Sequence, residues 1–149
     1  MAESEAPQMP EEFAARMNGG FAGIVSWRQL DDLWSRVLAQ PEGWYASLAG
    51  ADAPATPLTA EALRGFVAEL DALLRREHAY DYCGIAYADD PMRPGFIKIY
   101  DPHDLGSSCG ASGTTILPRW VLSRVVPTRI GNGRPLTGSR RRWWQALFR

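Results

Sequence analysis

Residues 59–100 read TAEALRGFVAELDALLRREHAYDYCGIAYADDPMRPGFIKIY, and their hydrophobic pattern changes from helical to strand-like half-way along. In the first half, apolar side chains recur at spacings of three and four, which is typical of one buried helix face. Those side chains are Leu63, Phe66, Val67, Leu70, Leu73 and Leu74. Thr59 is a suitable N-cap, and a cation such as His78 is favoured where a helix ends. The sequence therefore predicts one long helix between these two residues.

The second half of the segment predicts a β-hairpin. Tyr82–Ala88 and Phe96–Tyr100 are short runs with β-branched and aromatic residues, and Asp89–Gly95 between them holds two prolines. Such a composition is typical of two strands joined by a turn. Arg119–Val126 has the same character and predicts a third strand.

Two further helices are predicted upstream. Ser26 is a good N-cap for an apolar periodic run that ends near Pro41, and Glu11–Met17 is compatible with a short helix. Residues 44–48 are expected to add a helical turn. Residues 49–58 are small, with two prolines, and predict a linker.

These elements predict an α+β fold in which N-terminal helices pack on a small antiparallel sheet of about three strands. A long Gly/Ser loop follows the hairpin, and Ser139 is expected to cap a C-terminal amphipathic helix, Arg140–Arg149. The predicted organisation is a disordered tail at residues 1–10, a single α+β domain at 11–126 and a basic arm with the last helix at 127–149. No segment has the length of a membrane span or the pattern of a signal peptide. We therefore expect a soluble, cytoplasmic protein whose cysteines are free thiols.

Charge is divided unevenly along the chain. Residues 1–90 hold six basic and fifteen acidic residues, a net charge of −9, whereas residues 91–149 hold ten basic and two acidic residues, a net charge of +8. The overall charge of −1 hides this division. A protein with such opposed halves presents one surface that attracts anions and one that repels them.

The loop after the hairpin, Asp101–Thr115, is a candidate anion-binding site. Its glycines allow positive φ angles, and successive N–H groups in such a loop can form a concave nest for an anion. The candidate residues are Gly106, Ser107, Ser108, Gly110, Ser112 and Gly113. The spacing matches neither a Walker motif nor a dinucleotide-binding fingerprint.

The two histidines and two cysteines suggest two alternatives. His78, Cys83, His103 and Cys109 have the ligand types of a zinc or iron site, although they lack the short Cys-x-x-Cys spacing. Alternatively, Cys109 is a nucleophile, His103 its base, and Asp101 or Asp104 orients the imidazole. For Cys83 the simpler interpretation is a small residue of the core.

Residues 119–149 carry eight arginines and no acidic residue, interleaved with tryptophans. Arginine beside exposed aromatic side chains is typical of surfaces that bind phosphate backbones and stack on bases, and arginine also suits planar anions. The candidate partner-binding residues are Arg140, Arg141, Arg142, Trp143 and Trp144. The alternatives are docking of this helix on the chain's own acidic helices, and binding to nucleic acid or a membrane surface.

Together these patterns favour a binding protein over an enzyme. The sequence predicts a small accessory or adaptor protein that binds a larger acidic protein through its Arg/Trp-rich C-terminal region. A metal-binding factor or Cys-dependent enzyme centred on Cys109 and His103 is one alternative, and a nucleic-acid-binding protein is another.

Overall fold

The computed structural model describes residues 10–105, 117–131 and 137–148, which form an α+β fold. The described part contains five helices and one five-stranded sheet, and the elements are α1 (Pro10–Met17), β1 (Ala22–Ile24), α2 (Trp27–Ala39), β2 (Tyr45–Leu48), α3 (Ala60–Glu77), β3 (Ala86–Ala88), β4 (Phe96–Ile99), α4 (Pro102–Leu105), β5 (Trp120–Ser123) and α5 (Gly138–Phe148). The predicted fold class is confirmed. Residues 1–9, 106–116, 132–136 and Arg149 lie outside the described residues, and with them most of the tail predicted at 1–10 and of the loop predicted at 101–115. The structure differs from these two predictions at Pro10, which begins α1, and at Pro102–Leu105, which form α4.

The sheet has the strand order β1-β3-β4-β5-β2, and every neighbouring pair is antiparallel. The predicted hairpin is present as β3 and β4, with Ala88 opposite Ile97. Asp89 organises the turn between them, because its Oδ1 accepts the N–H groups of Asp90, Gly95 and Phe96 at 2.8, 3.0 and 3.1 Å.

The expected count of about three strands is too low, because β1 and β2 were not predicted. β1 is only three residues long, contains a glycine and pairs with one neighbour. β2 was predicted as a helical turn, which is wrong. Three consecutive residues of β2, Ala46, Ser47 and Leu48, are buried, so the strand lacks the alternation by which a half-buried strand is recognised.

The predicted caps of the two long helices are confirmed. The Ser26 hydroxyl accepts the N–H of Gln29 at 3.0 Å, and the Gln29 side chain accepts the N–H of Ser26 in return, which forms a capping box. The Thr59 hydroxyl accepts the N–H of Ala62 at 3.1 Å, and His78 is the C-cap of α3.

Apolar side chains pack against both faces of the sheet. Along β5 the side chains alternate, so that Trp120 and Leu122 join the cluster formed with α2 and α3, whereas Val121 joins Phe13 and Ile130 in a second cluster. The first cluster is the larger one and includes Leu33 of α2 and Phe66 of α3.

The predicted C-terminal helix is present as α5. Its cap lies two residues before the predicted Ser139, because the Thr137 hydroxyl accepts the N–H of Arg140 at 3.3 Å. Trp143, Trp144, Leu147 and Phe148 pack against the first cluster. Among the described residues, no helix combines the length and the hydropathy that a bilayer crossing demands.

We expect that Leu33→Ala lowers the free energy of unfolding by about 2–5 kcal/mol, because Leu33 is fully buried and the substitution leaves a cavity. Ser35→Ala, at an exposed position of the same helix, should change it by less than about 0.5 kcal/mol. Urea denaturation followed by circular dichroism measures both variants. Equal stabilities for the two would contradict the placement of α2 on the sheet.

Candidate functional site

A buried ion network joins three helices, α3, α4 and α5. Arg140 of α5 is only 3% exposed, and its guanidinium meets Asp101, which lies between β4 and α4, and Glu77, the last residue of α3. Arg140 Nε and Nη2 donate to Asp101 Oδ2 and Oδ1 at 3.0 and 2.7 Å, while Nη2 also donates to Glu77 Oε1 at 2.9 Å. The planar guanidinium thus binds Asp101 in a bidentate manner, which is the strong geometry for this pair.

His103 and Arg119 complete the network. The main-chain N–H of His103 donates to Asp101 Oδ1 at 2.9 Å, and its imidazole Nε2 lies 2.7 Å from Glu77 Oε1. Arg119 is buried, with its Nε 3.4 Å from Asp101 Oδ2. His103 and Arg119 lie on two described chain segments that are separate in sequence, and the network joins these two segments.

The network lowers the pKa values of its two carboxyl groups and raises that of Arg140, so each shift favours the charged form. Burial alone would raise the pKa of Asp101, but the hydrogen bonds from Arg140 and from the His103 N–H hold it below its ordinary value. The hydrogen bond from Arg140 likewise lowers the pKa of Glu77. Burial opposes the charge on Arg140, but its bonds to Asp101 and Glu77 raise its pKa. Both carboxylates are therefore charged when the network is formed.

The interactions of Arg140 with Asp101 and Glu77 are structural, because they leave neither carboxylate free to act as a general acid or base. All four oxygens of Asp101 and Glu77 accept a hydrogen bond from Arg140. The partner of the His103 imidazole is Glu77, which was not among the predicted site residues. Nothing in the local sequence marks Glu77 as a site residue, since it is one of several charged residues in a long helix.

His78 and Cys83 come together through the main chain. His78 Nε2 lies 2.7 Å from the Cys83 carbonyl oxygen. The rings of Trp27 and Tyr80 contact the imidazole in edge-on arrangements, with centroid distances of 5.9 and 4.9 Å. Cys83 is fully buried, and burial raises the pKa of its thiol. Within the described ranges, no group of three or more His, Cys, Asp or Glu side chains is arranged to hold a metal ion.

Several predicted site residues lie outside the described part. Cys109 and the candidate anion-binding residues belong to this set, which comprises Gly106, Ser107, Ser108, Gly110, Ser112 and Gly113. The structure thus places Asp101 and His103 together, but it does not place either of them relative to Cys109.

The five candidate partner-binding residues divide into three groups. Arg140 is buried in the ion network, whereas Arg141 and Arg142 are exposed. Trp143 and Trp144 are half-buried, with ring centroids 6.4 and 6.0 Å from Phe66. We call the surface formed by Arg141, Arg142, Gln145 and Ala146 the exposed α5 face.

A cavity of about 310 Å³ lies beside this face, between α5 and the residues that follow β2. Arg141, Trp144 and Arg129 are among the residues that line it. Arg129 is held in place there, because it donates to Asp52 Oδ1 and to the Gly50 carbonyl, both at 2.7 Å. The cavity therefore combines guanidinium groups with one indole ring at the protein surface.

The fold and this site define an α+β protein whose C-terminal helix is held by a buried arginine–carboxylate network. Comparison with known proteins adds no family to this description: no family model, curated protein or solved structure matches the chain.

We expect that Arg140→Met lowers the free energy of unfolding at pH 7 by about 3–5 kcal/mol, because it leaves buried carboxylates unpaired. The pKa values of Asp101 and Glu77 are lowered in the folded state, so the stability that they contribute is present above their unfolded pKa values. It is lost as the pH falls below about 4.5 and through the folded values. The wild type should therefore lose more stability than Arg140→Met between about pH 6 and pH 3.

Urea denaturation at a series of pH values measures this difference, with Arg141→Met at the exposed neighbouring position as the control. The control should follow the wild type. If Arg140→Met does not fold, Asp101→Asn removes part of the same network. Parallel stability–pH curves for the wild type and the Arg140 or Asp101 variant would contradict the network.

We expect the thiol of Cys83 to be unreactive in the folded protein, because it is fully buried and its pKa is raised. In a Cys109→Ser variant, an aromatic disulfide reagent at pH 8 should titrate one thiol in denaturant and almost none under native conditions. Rapid native titration of this variant would show that Cys83 is accessible and would support its candidacy as a metal ligand.

Proposed function

We propose that this protein is a cytoplasmic accessory protein that docks on an acidic surface of a larger protein through the exposed α5 face and the adjacent cavity. The observation that carries the proposal is that Arg141 and Arg142 are exposed on a helix that is itself firmly anchored. Neither makes an ion pair with an acidic residue of the described ranges.

The anchoring favours recognition on energetic grounds. Arg140 and the aromatic side chains of α5 fix the helix backbone, so the two exposed arginines are presented without ordering the segment on binding. A preorganised surface loses less conformational entropy when it binds. Arg141 and Trp144 at the cavity are residue types that dominate binding energy in protein interfaces.

The contacts of four other arginines that the structure describes in the C-terminal region limit the area of the proposed binding surface. Arg119, Arg124, Arg129 and Arg140 all contact carboxylates or main-chain carbonyls of the same chain. Arg119, Arg129 and Arg140 are paired with carboxylates, and Arg124 lies outside the exposed α5 face. The proposed contact therefore rests on Arg141 and Arg142 rather than on the whole basic region.

The proposal predicts that Arg141→Glu/Arg142→Glu weakens binding of the partner at least about tenfold, because like charges then face each other. The partner is first isolated on immobilised wild-type protein from cells that express it, and its affinity for each purified variant is then measured by calorimetry. Arg28→Glu/Arg64→Glu, at exposed positions on α2 and α3, is the matched control and should bind within about twofold of the wild type. Deleting α5 is not a suitable test, because it also removes Arg140.

Equal affinity of the wild type and the Arg141/Arg142 variant for every isolated protein would overturn the proposal. Binding that disappears after nuclease treatment and falls steeply with salt would favour the nucleic-acid alternative instead. Stoichiometric zinc or iron in the purified protein would favour the metal-dependent alternative.

A further inference from the structure

A second cavity, on a different part of the molecule, is lined by three arginines that are distant from one another in sequence. The cavity has a volume of about 390 Å³ and lies between the end of α2, the β3–β4 turn and the end of β5. Arg36 lies in α2, Arg93 lies in the turn, and Arg124 directly follows β5. They are 57 and 31 positions apart in sequence, so only the fold brings them together.

Neutral groups hold two of these guanidiniums in place. Arg124 Nη1 donates to the Glu42 carbonyl at 2.7 Å and Nη2 to the Gln40 carbonyl at 2.5 Å, while its guanidinium lies over the buried Trp44 ring at 4.6 Å. Gly43 has a φ of +85°, a conformation that glycine favours, and it lets the chain turn between these carbonyls and Trp44.

Arg36 Nη1 donates to the Pro91 carbonyl at 3.2 Å. Main-chain carbonyls orient a guanidinium but do not neutralise its charge. Each of these two arginines also keeps N–H groups beyond those that the carbonyls accept, since a guanidinium carries five.

No carboxylate lines the cavity itself, and Asp32 lines a neighbouring cavity together with Arg36 and Met92. Within the described ranges none of the three arginines lies within 4.0 Å of a carboxylate. Elsewhere in the chain Arg16, Arg75, Arg129 and Arg140 all have carboxylate partners. Three positive charges that share one concave site raise the local potential and attract an anion.

We propose that this cavity binds the phosphate group of a small organic phosphate monoester. Guanidinium groups match phosphate oxygens in a planar, bidentate manner, and a doubly charged phosphate meets three cations better than a single carboxylate does. The volume is at the lower end of that typical for small-molecule sites, so it exceeds the needs of a phosphate ion alone. Met92, which is 67% exposed, and Pro94 supply apolar contacts for the organic part.

This inference is independent of the proposed docking function, because the cavity shares no residue with the exposed α5 face. Loss of one binding activity therefore leaves the other intact. Arg93 is the residue best suited to a test. Its side chain is exposed, and it has no side-chain hydrogen bond or ion pair within the described ranges.

The experiment is calorimetric titration with phenyl phosphate, inorganic phosphate, benzoate and phenol at low ionic strength. We expect phenyl phosphate to bind more tightly than inorganic phosphate or benzoate, and phenol not to bind. Arg93→Gln should weaken phenyl phosphate binding about tenfold, and Arg36→Gln/Arg93→Gln should abolish it. Arg28→Gln and Arg64→Gln, which remove the same charge elsewhere, should leave it within about twofold of the wild type.

Three results would overturn the proposal. Absence of phenyl phosphate binding to the wild type would remove the site. Binding that survives Arg36→Gln/Arg93→Gln, or that falls equally in the control variants, would show general charge attraction rather than this cavity. Equal affinities for inorganic and phenyl phosphate would show that the organic part makes no contact.

Discussion

Burial of the Arg140 guanidinium is the constraint on which the C-terminal half of the structure depends. A buried charge is costly unless it is paired and hydrogen-bonded, and the Arg140 guanidinium of α5 meets this condition through Asp101 and Glu77. Asp101 lies between β4 and α4, and Glu77 is the last residue of α3. The position of α5 that lets this guanidinium reach both carboxylates also places the aromatic residues of the helix against Phe66.

The uneven charge of the sequence has a partial internal explanation. Arginines from the positive half pair with carboxylates of the negative half, as Arg140 does with Glu77 and Arg129 with Asp52. Other ion pairs join residues of the same half, such as Arg75 with Asp31 and Arg119 with Asp101, so pairing between the halves accounts for only part of the division. Such pairing reduces the cationic surface that remains outside, and it leaves Arg141 as a clear example of a charge that the fold does not use.

Sequence reasoning predicted the elements whose signals are local. The apolar period of α3, the caps of α2 and α3, and the hairpin are present, but β1 and β2 are formed by pairing with distant strands and carry no local pattern. For the ion network, the spacing of residues in α5 could have predicted one member. Arg140 lies three, four and seven positions before Trp143, Trp144 and Leu147, so it shares their helix face and is buried with them. A buried arginine requires a carboxylate, and Asp101 is one of only two acidic residues in its half.

The three-arginine cavity could not be predicted in this way, because its members come from a helix, a turn and a strand end, and none repeats a local motif. The way in which its arginines are held nevertheless distinguishes this cavity from the ion network around Arg140. The buried Arg140 is matched to carboxylates, whereas Arg36 and Arg124 are fixed by carbonyls that leave their charge unmatched. Folding alone does not favour such an arrangement, since a carboxylate at any lining position would relieve the repulsion. Unpaired charges gathered in one concave site depart from the pairing seen at Arg140, and such departures are expected at functional sites.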